Sequence, residues 1–123
     1  MLDVLLWVFK GNAHERRKMK ETNYALVNAD EKGTTLAVKG HLNSENSHHV
    51  ESGLLSLRAA HPAGKLDIDA SVLDGISSAG MNVFMRLRRN ESSMSIRNVK
   101  PEIYKSLRKH GLTELIEIEK SSI

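Results

Sequence analysis

The sequence predicts an α/β fold: a mixed β-sheet with an N-terminal hairpin, followed by alternating helices and strands. Three observations point there. Two short β-type runs, "NYALVNA" and "TTLAVKG", flank the turn "DEKG". Beyond them the apolar period switches repeatedly between 2 and about 3.6 residues. The switches coincide with Pro62, Pro101 and Gly111, residues that start or stop helices.

Each element follows in order. In the hairpin, Gly33 is expected to supply the positive φ of a tight turn. In "HLNSENSHHVESGLLSLRAAHP", Val50, Leu54 and Leu57 mark one helical face. Asn43 or Ser44 can cap that helix, Glu45 suits its positive dipole end, and Pro62 follows its end. "KLDIDAS" alternates as a strand, with Leu66, Ile68 and Ala70 on one face and Asp67 and Asp69 on the other. "VLDGISS" reads as a loop, and "AGMNVFMRLRRN" as a helix with Val83, Phe84 and Leu87 inward. Met81 and Met85 have the flexibility for a partly exposed docking patch. "SSMSIRNV" is a strand. "KPEIYKSLRKHG" is a helix with Pro101 in its first turn, Ile103 and Leu107 inward and Gly111 as its stop. "LIEIE" closes the sheet. The order β-β-α-β-α-β-α-β implies right-handed crossovers between parallel strands, with the hairpin as an antiparallel edge.

Composition bounds the function. The 123 residues suit one domain, 40% hydrophobic and 27% charged. With no cysteine there is neither a disulfide framework nor a thiolate metal site, as suits a cytoplasmic protein. Two of the three net positive charges lie in residues 1–18, so the rest is nearly neutral and no nucleic-acid partner is expected. The apolar run in "MLDVLLWVFK" is too short to span a bilayer and its basic residues follow it, so neither membrane insertion nor a secretory signal is expected. Residues 1–21 are set apart as an N-terminal extension and residues 22–120 as the domain. "NAHERRKMK" has the form of a translated purine-rich ribosome-binding site ahead of a start at Met19. The other reading is an amphipathic segment that covers apolar surface.

Chemistry concentrates at "DGISSAG", where two hydroxyls meet the start of a helix, just beyond the carboxyl end of a strand closed by Asp69. A serine there can be a cap, part of an anion site, or a phosphorylatable group. Adjacent His48 and His49 point to different helix faces and do not make a metal pair. His41, His61 and His110 are the bases a serine nucleophile would need, but there is no Gly-x-Ser-x-Gly elbow. The basic residues between Arg86 and Lys109 read as solvated helix surface, or as a face for an acidic partner.

The stretch "DASVLDGISSAGMNVFM" resembles the signature of the STAS domain of bacterial anti-sigma-factor antagonists. "VKGHLNSENS" and "NVKPEIYKSLRKHGLTELIEI" resemble two further family motifs in the same order. The resemblance implies a small STAS-like domain and a non-enzymatic, cytoplasmic, phosphorylation-controlled protein-interaction switch. In the family the first serine of the motif is phosphorylated by a partner kinase that is also the anti-sigma factor. Alignment on Gly80 places that serine at Ser78, with Ser77 where many members carry aspartate. The implied partner surface is Asp69, Ser77, Ser78, Gly80 and Met81. The implied partner is a serine-kinase anti-sigma factor, with room for a serine phosphatase. No cofactor is expected on this chain, since the kinase holds the ATP. The alternative is a STAS module with a structural or regulatory role in a signalling scaffold or membrane-transport complex, Ser78 acting only as a helix cap. Asn43 stands where the family has aspartate, and Asp67 puts a charge in a strand that is usually apolar.

Overall fold

A computed structural model describes residues 23–121, so the two readings of the N-terminal extension fall outside the described residues. Five strands form the main sheet: β1 (Tyr24–Asp30), β2 (Gly33–Val38), β4 (Lys65–Asp69), β6 (Met94–Val99) and β7 (Glu117–Lys120). Their order is β1-β2-β4-β6-β7; β1 and β2 are antiparallel, and every later pair is parallel. Three helices connect them: α1 (Ser47–Ala60), α2 (Ser78–Arg89) and α3 (Pro101–Lys109). The mixed sheet with its hairpin edge and alternating crossovers is the architecture expected from the sequence.

All three crossovers step in the same direction across the sheet. Right-handed connections then stack all three helices on one face. The core lies between that face and the helices: Leu36, Leu66, Ile68 and Ile96 from the strands meet Leu54, Phe84 and Leu107 from the helices, all at 0% exposure. The opposite face carries Thr35, Asp67, Ser95 and Glu117 in one row and Ala37, Asp69 and Arg97 in the next. This explains the charge at Asp67. It points away from the core, where Lys65 Nζ lies 3.8 Å away and the Ser95 hydroxyl donates to it.

Several local expectations are corrected by contacts from afar. Gly33 does not have a positive φ; it begins β2, and a Cβ there would come within 2.4 Å of the Lys65 carbonyl oxygen. The turn is closed instead by Asp30, whose Oδ1 accepts from the N–H groups of Lys32 and Gly33. Neither Asn43 nor Ser44 caps α1. Asn46 occupies that position without a capping bond; its side chain accepts from the Asn43 N–H and donates to the His41 carbonyl, while Asn43 Oδ1 accepts from the N–H groups of Glu45 and Asn46 in the preceding turn. The segment read as a loop before α2 contains a strand, β5 (Leu73–Ile76), parallel to β3 (Gly40–Leu42) in a separate two-stranded sheet. Gly111, with φ 83°, ends α3 as expected.

The end of the domain opposite β3 and β5 is tied together by Arg58. Its guanidinium donates to both Glu91 oxygens at 2.8 and 2.9 Å, and to the carbonyls of His61, Ala63 and Gly64. Three helices end at this pole. Arg58, Arg86, Arg88, Arg89, Arg108 and Lys109 in their last turns offset the negative dipole ends, which accounts for much of the basic surface.

Candidate functional site

The site forms where β4 ends. Asp69, half-buried, turns its carboxylate onto the chain that follows it. Its Oδ1 accepts from the Ser71 N–H at 2.9 Å and from Asn98 Nδ2 at 3.3 Å. The backbone adds Ala70 N–H to the Arg97 carbonyl at 2.9 Å and Gly40 N–H to the Val72 carbonyl at 2.9 Å. Residues 73–76 then pair with β3, and Ser77 N–H reaches the Leu42 carbonyl at 2.9 Å. Lys100, just before α3, pairs with Asp74 on β5. The segment leading into α2 is therefore held from both sides before the helix begins.

The two serines divide the work. Ser77 is extended (φ −100°, ψ 177°), the conformation of an N-cap residue, and its Oγ accepts from the Gly80 N–H at 3.4 Å. Ser78 is the first helical residue. It is exposed, and its hydroxyl hydrogen-bonds to no other described residue. The cap assigned to Ser78 in the alternative reading is thus corrected: Ser77 performs it, because only a residue with extended backbone ahead of the helix can turn its oxygen back onto the third helical N–H.

Gly80 is buried because α2 starts in close contact with β3 and β5. A Cβ there would lie 2.7 Å from the Leu42 carbonyl oxygen and 2.8 Å from Ile76 Cγ1. Met81 is corrected as a docking residue. It is 4% exposed and belongs to the core cluster, so its side chain anchors the helix rather than meeting a partner. Met85, one turn on, is half-buried, and Asn82 between them is exposed. The accessible surface around Ser78 therefore comprises Asp74, Asn82 and part of Met85. Asp69 shapes it from behind.

An exposed hydroxyl on the first turn of a helix suits a phosphoryl group, since the dipole and the unpaired N–H groups favour negative charge there. Nucleophilic catalysis finds no support. No described histidine hydrogen-bonds to Ser77 or Ser78. The His41 ring packs on Gly75, while His61 and His110 follow the ends of α1 and α3, at the other pole. Among the described residues no group of three or more His, Asp or Glu side chains is placed to hold a metal. No helix among them is long and apolar enough to cross a membrane.

Asn98 opens one of the family-like motifs and Lys100 belongs to the basic stretch, but nothing local in the sequence gives either a role at this site; that role lies in contacts to Asp69 and Asp74, 29 and 26 residues earlier.

A family model described as "Mlab, STAS domain" matches residues 25–117. Among solved structures, the fold is similar to a Thermotoga maritima protein assigned as an anti-sigma factor antagonist (14% identity, 80% of this chain and 87% of that one, TM-score 0.68). It is also similar to the Bacillus cell fate determinant SpoIIAA in its phosphorylated form (14% identity, 77% and 89%, TM-score 0.56). A third likeness is to a murine Solute Carrier 26 family anion transporter in the inward-facing state (11% identity, TM-score 0.66). There the match spans 77% of this chain but 17% of the transporter. No curated relative matches by sequence.

Proposed function

We propose, from the premise that the chain belongs to the STAS family, that it is an anti-sigma-factor antagonist: a non-enzymatic switch turned off by phosphorylation of Ser78. Unphosphorylated, the surface formed by β3, β5 and the first turns of α2 docks on a serine-kinase anti-sigma factor in the cytoplasm and frees a sigma factor. The kinase then transfers the γ-phosphoryl of its own ATP to the Ser78 oxygen, ADP leaves, and the complex dissociates. A serine phosphatase would reset the cycle.

The observation that carries this reading is the division between the two serines. Ser77 caps α2, so no described residue uses the Ser78 hydroxyl, which is left exposed beside a braced loop. The likeness to SpoIIAA, known in a phosphorylated form, supports it. A second reading, a STAS module serving a membrane-transport complex or a scaffold, is favoured by the anion transporter whose chain includes this fold. It needs no chemistry at Ser78.

Affinity capture from native cells with the wild-type chain and with Ser78→Glu separates the two. Capture of a kinase by the wild type alone, followed by ATP-dependent phosphorylation mapped to Ser78, supports the switch. Phosphate on Ser77, or capture of transport subunits by both forms, refutes it.

A further inference from the structure

We propose that Asn98 is a positioning residue of the partner surface, acting through Asp69 from outside the contact area. The inference rests on the switch reading, but its first test is independent of any partner.

Asn98 is the one non-glycine residue with positive φ (60°) among the described residues. Asparagine tolerates this conformation better than most residues, and glycine tolerates it best. The local reason is a bulge. Ile96 faces Ile118 and Val99 faces Lys120, so two residues of β6 oppose one of β7. A bulge could serve only to return Val99, at 0% exposure, to the core. Glycine would meet that need with less strain.

Asparagine adds an amide, and the left-handed turn aims it across the sheet at Asp69 Oδ1, 3.3 Å away. The same oxygen accepts the Ser71 N–H at 2.9 Å. One carboxylate oxygen is thus shared between a brace on β6 and the first turn of the segment that leads into β5 and α2. The Ser71 hydroxyl, buried, has no hydrogen-bond partner among the described residues. The side-chain restraint on this turn therefore comes from the Asp69 carboxylate, and Asn98 sets where that carboxylate points. Two residues on, Lys100 pairs with Asp74. The β6–α3 junction consequently grips the segment at both its start and its middle.

The test uses the full chain. Asn98→Gly keeps the left-handed backbone and deletes the amide. Asn98→Asp faces the Asp69 carboxylate with a second one. Amide hydrogen exchange is read at Ser71 and, as control, at Leu66 and Ile96. The expected result is Ser71 exchange faster by about three- to tenfold in both variants, the worth of one ordinary hydrogen bond, since this one is long and exposed, with the control amides and the melting temperature unchanged.

Affinity for the kinase captured by the wild-type chain should fall in both variants about as much as Ser71 protection does. Unchanged Ser71 exchange overturns the proposal, as does a uniform rise in exchange with a lowered melting temperature, which would show a merely structural bulge. Faster Ser71 exchange with unchanged kinase affinity also overturns it. If the wild type captures no kinase, the switch reading fails while the exchange data still decide whether Asn98 braces Asp69.

Discussion

Replacing each serine of the pair separately should divide stability from function. Ser77→Ala removes the Oγ that accepts from the Gly80 N–H. N-cap replacement by alanine typically costs about 0.5–2 kcal/mol. The bond here is long, 3.4 Å, and its residue half-buried, so the cost belongs at the lower end, about 0.5–1 kcal/mol. For a domain of this size that lowers the melting temperature by roughly 2–6 °C. Ser78→Ala removes a hydroxyl bonded to nothing else described, at an exposed helical position where alanine is the better helix former. Its stability should stay within about 0.5 kcal/mol of wild type. Ser78→Glu adds negative charge at the positive dipole end and should be neutral or stabilising by about 0.3–1 kcal/mol. Urea denaturation followed by circular dichroism measures all three; ATP-dependent labelling by the captured kinase measures the function. The expected pattern is a destabilised Ser77→Ala that still accepts phosphate and a stable Ser78→Ala that does not. If Ser78→Ala loses as much stability as Ser77→Ala, the division of roles is wrong and the Ser78 hydroxyl is structural.

Asp69→Ala should leave the domain folded yet weaken partner binding about tenfold or more, measured by calorimetric titration, because Ser71 and Asn98 lose their common acceptor. Gly80→Ala should cost about 1–3 kcal/mol in chemical denaturation despite the better helix propensity, since its Cβ meets the Leu42 carbonyl at 2.7 Å. Arg58→Ala should be the most damaging, about 3–5 kcal/mol by the same measurement, because it strands a Glu91 side chain only 10% exposed. The Arg86 hydrogen bond lowers the Glu51 pKa, and the Glu51 carboxylate raises that of Arg86. The carboxylate's contribution is therefore full above the ordinary Glu range and is lost as pH falls through the lowered folded value. For so exposed a pair it amounts to under about 1 kcal/mol. Glu51→Gln should flatten the acid limb of a stability–pH curve, and an unchanged limb would show the pair to be idle.

Features that depend on near neighbours are legible along the chain. Periodicity placed α1, α2 and α3 and chose their buried faces, because apolar spacing along a helix is a local property; Leu54, Phe84 and Leu107 all reach the core. Alternation in "KLDIDAS" separated Leu66 and Ile68 from Asp67 and Asp69, and "DGISSAG" marked the site. Features that depend on residues far apart in the chain emerge only once the chain has packed. The β3–β5 sheet pairs three- and four-residue strands, too short to show a period, whose register is set only where β2 and β4 end side by side. The need for glycine at position 33 comes from the Lys65 backbone, not from the turn it closes. Met81 looked suited to docking because a helix stripe does not reveal how wide its buried face is; packing beside Phe84 makes it core. The assignment of cap and free hydroxyl to Ser77 and Ser78 was a one-residue question about backbone angles. It was settled by the Ser77 N–H bonding to the Leu42 carbonyl, a contact between residues 35 positions apart that holds the chain extended until the helix begins.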